Sequence, residues 1–153
     1  LDIGSGLGIF PYSAKNIGWN CTAIDPDKNS VTHIKKRIGI KAIHGEFTKI
    51  KNTDKYNVIT LNKVLEHVMD PTTMLAKVKN NLLDDGFIYV EVPDAEEACK
   101  EGKNREEFFI DHLHVFSKLS LIFMCKNVGL QTTRVDRIRE PSGKFTLFAF
   151  ISF

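Results

Sequence analysis

Two hydrophobic periods take turns along this chain. Residues 1–3 read as the end of a strand that breaks into Gly4-Ser5-Gly6-Leu7-Gly8. Residues 9–17 then have helical spacing, with Pro11 tolerated in the first turn and Gly18 as the stop. A short apolar strand over 21–24 ends at Asp25-Pro26-Asp27. A basic helix over 27–37 (Lys28, Lys35, Lys36, Arg37) closes at Gly39, and strands follow over 40–43 and 56–61. Over 71–83, Met74, Leu75, Val78, Leu82 and Leu83 share a helical face, and Asp84-Asp85-Gly86 reads as a turn. Residues 87–92 are rich in β-branched and aromatic side chains, a strong strand ended by Pro93. A polar excursion over 94–111 precedes a helix over 117–128, with Ser117 as N-cap and Gly129 as stop. Residues 132–138 and 145–153 alternate and are joined by Glu140-Pro141-Ser142-Gly143, the pattern of an antiparallel hairpin.

Strands alternating with helices predict an α/β, Rossmann-like doubly wound sheet. It is mostly parallel with right-handed crossovers and ends in a carboxyl-terminal antiparallel hairpin. The 153 residues fit a single domain over 1–153. The first strand reads as truncated at Leu1, so the expectation is that an amino-terminal part is missing. Apolar residues at 42% and charged ones at 26% are ordinary for a soluble globular chain. A net charge of +2 implies no strong nucleic-acid or membrane field, and no apolar run reaches membrane-span length. Cys21, Cys99 and Cys125 are odd in number and far apart. That argues against a disulfide framework or a zinc knuckle and suits buried free thiols in a reducing cytoplasm.

The chemistry concentrates at the start of the chain. Gly4, Gly6 and Gly8 stand at every second position between a strand and a helix. Bare backbone at such a turn lets a ligand reach main-chain atoms, and the following helix offers unpaired N–H donors. A dinucleotide fingerprint needs its third glycine one residue later, where Ile9 stands. No G-K-[ST] follows, so no phosphate-cradling lysine is present. Ligands in such sheets bind at the carboxyl ends of the strands. Asp25 ends the second strand there, where a carboxylate can accept from both hydroxyls of a ribose, each charge-assisted bond being worth ~1.5–3 kcal/mol. It can equally cap the helix after Pro26, although Asp27 is also available for that task.

The pattern D-x-G-x-G-x-G, from Asp2 to Gly8, resembles the first motif of class I S-adenosylmethionine (SAM) dependent methyltransferases. The resemblance extends over nearly the whole chain, including the closing hairpin. It implies that Asp2, Gly4, Ser5, Gly6 and Gly8 surround the methionine part and ribose of SAM, and that Asp25, followed by Pro26, binds the ribose. Gly45-Glu46-Phe47 stands where the family usually has Gly-Asp-x. Glu46 would accept from the adenine amino group, and Phe47 would stack on the adenine or fill core. Leu61, Asn62 and Lys63 open a V-L-E-H-V segment that resembles the quinone-biosynthesis O-methyltransferases, and would line the sulfonium end. The implied cofactor is SAM and the implied partner a small-molecule acceptor.

Asp111-His112-Leu113-His114-Val115-Phe116-Ser117 resembles the H-L-x-x-[FY]-S segment of a subgroup that includes sugar C-methyltransferases. Ile110 and Asp111 replace the His-Glu of the fuller pattern H-E-H-L-x-Y-Y-S. By that resemblance His112 is a general base, with Asp111 fixing its ring if it points inward; a histidine that staples the helix entry is the equal alternative. His67 is a second candidate. A base adds ~10²–10⁴-fold when the acceptor is a hydroxyl or acidic carbon. The pattern demands no metal. A sugar-pathway metabolite and a quinone-type phenol both remain open as acceptors, as does a non-catalytic SAM-fold module. A nicotinamide-dependent reductase fits poorly, because the glycine register is wrong and no Tyr-x-x-x-Lys pair exists. Nucleic acid is not an expected partner, since the basic residues are dispersed and no Asn-Pro-Pro-Tyr type motif appears.

Overall fold

The computed structural model describes residues 1–51 and 54–153. Its parallel strands are β1 (Asp2–Ile3), β2 (Thr22–Asp25), β3 (Lys41–His44), β4 (Tyr56–Asn62) and β5 (Leu82–Pro93). Helices α1 (Ile9–Asn16), α2 (Lys28–His33) and α3 (Pro71–Asn80) alternate with them. Then come α4 (Ala95–Ala98), α5 (Lys118–Asn127), β6 (Gln131–Arg139) and β7 (Phe145–Ser152). Among the described residues the strands form one sheet in the order β3-β2-β1-β4-β5-β7-β6. The order reverses between β1 and β4, both running parallel, and β7 is inserted antiparallel between β5 and β6. The doubly wound sheet with a closing hairpin is therefore the fold that the alternation of periods predicts.

Local chemistry sets the helix starts. The Asp27 carboxylate accepts from the Asn29 and Ser30 amides, and Asp70 accepts from Thr73 ahead of Pro71. Ser117 and Ser120 cap one another's backbone at the start of α5. Helix α2 runs on into a π turn, Ile34–Ile38, and ends at Gly39 with φ 69°.

Two boundaries differ from expectation. The helix over 71–83 stops at Asn80, because Leu82 pairs with Tyr56 in the sheet. Asn81 secures that switch: its side chain donates to the Asp54 carbonyl (2.8 Å), and its own carbonyl accepts the Tyr56 amide (2.9 Å). Leu82 and Leu83 suit a strand as well as a helical face, so the period alone does not separate the two. Asp84-Asp85-Gly86 lies within β5, in the irregular stretch between the Tyr56–Leu82 and Val58–Phe87 pairs. A Cβ on Gly86 would stand 2.6 Å from the Asn57 carbonyl, so the bulge closes only on glycine.

The sheet's two faces are unlike. Ile59 and Leu61 of β4, Ile88, Val90 and Val92 of β5, and Leu147, Ala149 and Ile151 of β7 belong to one core cluster with α3 and α5. Each of these Ile, Leu and Val side chains stabilises the fold by ~1.5–3 kcal/mol on burial. A smaller cluster of Ala23, Val31, Ile34, Ile40 and Ala42 seats α2. Phe87, Tyr89, Phe148 and Phe150 alternate onto the other face, half-buried, with the Tyr89 and Phe150 rings 5.2 Å apart. Of the three free cysteines only Cys125 is buried; Cys21 is half-buried and Cys99 exposed, which corrects the expectation of buried thiols. Among the described residues no helix is long and apolar enough to cross a membrane.

The excursion after β5 is held by ion pairs. Arg137 bonds the fully buried Asp94 carboxylate (2.8 Å). Arg105 grips Glu107 with two N–H groups (3.1 and 2.7 Å), and Glu107 also accepts the Phe145 amide at 2.6 Å. Burial pushes the Glu107 carboxyl up, but these donors outweigh it and leave its pKa at about 2.

Two stability outcomes follow from this geometry. Gly8 has φ 79°, and a Cβ there would lie 2.7 Å from Ile34 Cγ1 and Ile38 Cδ1. Gly18 has φ 93° and open space around it. Gly18→Ala should cost the ~1–2 kcal/mol of left-handed strain, and Gly8→Ala a further ~1–3 kcal/mol of overpacking. Urea denaturation measures both, and equal losses would contradict the packing role of Gly8. Arg105→Ala strands a buried carboxylate and should lower the urea midpoint at neutral pH. The folded pKa of Glu107 is depressed, so the pair's stabilisation is present above ~4.5 and is lost as pH falls toward about 2. The gap between the two proteins should therefore close across that window; parallel stability curves would refute the pairing.

Candidate functional site

The alternating glycines all adopt left-handed backbone, φ 70° at Gly4, 51° at Gly6 and 79° at Gly8. The loop wraps the end of β2: the amides of Gly4 and Ser5 donate to the Ile24 carbonyl at 2.8 and 3.3 Å. The Gly6 amide donates to Asp25 Oδ2 at 2.7 Å, and the Asp27 amide to Asp25 Oδ1 at 2.8 Å. Asp27 caps the helix and Asp25 does not. One donor per oxygen leaves Asp25 with unused acceptor capacity at the strand's carboxyl end. No heavy atom lies within 4 Å of where a Gly6 side chain would start, while at Gly4 that space is filled by Val64. Gly6 is thus the open point of the loop, and Gly8 is the packing point against α2.

Asp2 is buried in β1 and accepts from Thr60 Oγ1 at 2.5 Å and Asn62 Nδ2 at 3.4 Å. Burial raises its pKa against those hydrogen bonds. Ser5 closes the turn by donating its hydroxyl to the Asp2 carbonyl (2.9 Å). A cavity of about 620 Å³ runs past Asp2, Gly4, Ser5, Asn62 and Glu91. Tyr89 donates to Glu91 at 2.7 Å on that wall, and burial together with this neighbour pushes the phenol up.

Pro26 and Gly45 support the adjoining strand ends. The Pro26 carbonyl meets His44 Nε2 at 3.0 Å, and the Gly45 amide donates to the Asp25 carbonyl at 3.0 Å. The Glu46 carboxylate is paired with Lys49 at 2.8 Å. Of the expected contacts, Phe47 takes its core alternative, and those of Leu61 and Lys63 are corrected. Phe47 is core, 2% exposed, with Lys77 above its ring, because the turn after β3 folds its side chain inward. The Leu61 side chain is fully buried in the main cluster, since strand alternation sends it to the opposite face from Thr60 and Asn62; only its backbone is left for a ligand. Lys63 has left-handed backbone, φ 58°, and directs its ammonium to Glu140 (2.5 Å) and Thr146 (2.6 Å). Burial pushes Glu140 up, yet Lys63 and Thr146 outweigh it and hold its carboxyl below the ordinary range.

Lys63 thereby borders a second cavity, about 520 Å³, beyond the ends of β4 and β5. His112 and His67 both line it, with ring centroids 5.0 Å apart. His112 Nδ1 lies 2.9 Å from the Glu107 carbonyl and His67 Nδ1 lies 3.0 Å from the Asp111 carbonyl. Each Nδ1 therefore carries the proton, and each Nε2 keeps its lone pair. Asp111 fixes a ring through its backbone, and the ring is that of His67; His112 is held by Glu107, which corrects the expected Asp111–His112 pairing. His114 is spent on the Val68 carbonyl (3.0 Å), and the Leu113 amide donates to the Glu66 carbonyl (2.7 Å). The histidine loop is in this way stitched to the turn after β4. Glu66 itself is 1% exposed, and burial raises its pKa. Sequence reading missed Glu107 and Glu140 as walls of this cavity. Their partners lie far along the chain, and no local spacing announces them.

The methyltransferase domain family matches residues 1–135. The ubiquinone biosynthesis O-methyltransferase of Glaesserella parasuis serovar 5 (strain SH0165) is 30% identical over 105 residues, 59% of this chain and 43% of that protein. The mitochondrial ubiquinone biosynthesis O-methyltransferase of Schizosaccharomyces pombe is 31% identical over 93 residues, 53% of this chain and 34% of that one. The chain thus spans less than half the length of these curated relatives. Among solved structures, a SAM-dependent methyltransferase from Methanosarcina mazei superposes with a TM-score of 0.80 at 15% identity, covering 98% of this chain and 89% of that one. The Burkholderia thailandensis 1,6-didemethyltoxoflavin-N1-methyltransferase, solved with S-adenosylhomocysteine, gives 0.77 at 16% identity, covering 99% and 70%. Strand order, glycine loop and family match agree, and the chain belongs to the methyltransferase domain family.

Proposed function

We propose that this chain is the SAM-binding part of an enzyme that transfers a methyl group to a hydroxyl of a small acceptor. The observation that carries this reading is the open Gly6 position tied directly to Asp25. The residues fit the cofactor: its ribose would meet the free lone pairs of Asp25, and its methionine part would run along Asp2, Ser5 and Asn62. Glu46 would reach the adenine edge once released from Lys49. When bound, SAM supplies a methyl group already activated by a sulfonium.

The remaining work belongs to the chain's own residues. Orienting the acceptor against the cofactor is worth ~7–11 kcal/mol in the best cases. The 520 Å³ cavity, walled by Lys63, Glu140 and Phe145, is of a size for a small ring. His112 Nε2, with its lone pair free, accepts the hydroxyl proton. His67, the second imidazole on this cavity, is the alternative acceptor. An oxygen acceptor of the quinone-type class is favoured over the sugar carbon that the 112–117 segment suggested, because the curated relatives are O-methyltransferases.

Asp25→Ala should weaken SAM or S-adenosylhomocysteine binding far more than His112→Ala does, read by calorimetry. Equal losses would contradict the assigned roles. With a phenolic acceptor, His112→Ala should slow turnover by ~10²–10⁴-fold while cofactor affinity holds. Tight uptake of NADH together with indifference to S-adenosylhomocysteine would overturn the whole reading.

A further inference from the structure

Asn62, at the end of β4, has Glu91 as its register partner on β5, and Thr60 has Tyr89. Strand alternation turns these four side chains to one face of the sheet. All four line the cavity of about 620 Å³ that runs past the glycine loop. Two carboxylates, Asp2 and Glu91, stand among its lining residues, and no lysine, arginine or histidine does. Resting on the cofactor reading above, we propose that Glu91 sets this chain's preference for the charged cofactor over its neutral product. Its carboxylate serves the sulfonium end of SAM, beside Asn62, and finds no positive sulfur in S-adenosylhomocysteine.

Glu91 differs from the other sheltered carboxylates in what meets it. Asp94 pairs with Arg137, Glu107 with Arg105 and Glu140 with Lys63. Glu91 is half-buried, and among the described residues it has no ion-pair partner. Its Oε1 takes one hydrogen bond, from the Tyr89 hydroxyl at 2.7 Å. A single neutral donor leaves most of a carboxylate's acceptor capacity unused. Partial burial makes that uncompensated charge unfavourable until something positive arrives. Asp2 is already engaged within the sheet, where its Oδ1 accepts from both Thr60 and Asn62. Glu91 is therefore the carboxylate of this cavity that is left for a ligand.

The remaining walls suit a cation as well. Phe10, Trp19, Phe87 and Phe150 line the same cavity, and the Tyr89 and Phe150 rings stand 5.2 Å apart. Ring faces carry negative potential and attract alkylated cations, which hold water weakly. SAM carries a sulfonium, an ammonium and a carboxylate. When the S–CH₃ bond breaks, the sulfur keeps the electron pair and becomes a neutral thioether, while the ammonium and carboxylate are unchanged. The two ligands thus differ by one positive charge and one methyl group at a single atom. An uncompensated carboxylate beside that atom distinguishes them by charge. A cavity built in this way holds the cofactor and loosens its grip on the product.

The test is calorimetry of the chain with three ligands: SAM, S-adenosylhomocysteine, and sinefungin, which carries a charged amine in place of the sulfonium. The quantity compared is the S-adenosylhomocysteine Kd divided by the SAM Kd, because losses common to adenine, ribose and amino-acid parts cancel in it. Glu91→Gln keeps an acceptor for Tyr89 and removes the charge. It should lower that ratio ~5–10-fold, and the matching sinefungin ratio in the same direction. Tyr89→Phe breaks the same hydrogen bond and keeps the charge, so its ratio should stay at the wild-type level or rise. Circular dichroism checks the fold of both variants. An unmoved ratio in Glu91→Gln overturns the proposal. An equal fall in both variants does so too, since it would make Glu91 a packing element rather than a charge. Wild-type chain that binds none of the three ligands overturns the cofactor reading and the proposal together. Binding of all three with an unmoved ratio overturns the proposal alone.

Discussion

The carboxylate of Asp25 joins three pieces of backbone that would otherwise be independent. One oxygen holds the Gly6 amide, the other holds the Asp27 amide, and the residue itself ends β2. The glycine loop has no side chain with which to keep its own shape, so this acceptor substitutes for one. Hydrogen bonds to a charged group are worth about twice neutral ones, and here they are spent at 6% exposure, where water competes little. The same oxygens retain capacity toward the strand ends. Asp25 is therefore both the brace of the loop and its ribose acceptor in the proposed reading, and changing it disturbs both.

The features legible in the sequence were those that local backbone chemistry decides. The glycine turn, the caps at Asp27 and Ser117, and the Glu140–Gly143 hairpin connection each require particular residue types within four or five positions. The doubly wound order follows once such elements alternate. Boundaries blurred where one pattern served two structures, as at Leu82 and Leu83. Orientation was lost where it depends on which face of a strand is covered: Leu61 is an apolar residue within a ligand motif, and its side chain turns inward. Partners were lost where they are distant. Lys63 meets Glu140 77 positions away, and Arg105 and Glu107 meet Gly143 and Phe145 across 38. Such pairs are set by tertiary packing, and no short spacing encodes them.

The two cavities are built on different principles. Around the glycine loop, backbone amides and one carboxylate do the work, on a rigid parallel sheet. The second cavity is assembled from irregular chain: the turn after β4, the loop before α5 and the tip of the final hairpin. Its coherence comes from carbonyl oxygens: those of Glu66, Val68 and Asp111 each receive a bond from across the gap, and that of Glu107 receives one from His112 within the loop. Variation in side chains can then alter this cavity's wall with little strain on the scaffold.

The insertion of β7 between β5 and β6 has a consequence for how the molecule comes into being. Glu140 and Phe145, which wall the second cavity, are synthesised after strands β1 to β5. Until that hairpin slides in beside β5, the nascent chain has its cofactor-side loop but an open flank and an unpaired strand edge. Maturation thus has a built-in order, with the glycine-loop half shaped first and the wall of the second cavity sealed by the later hairpin.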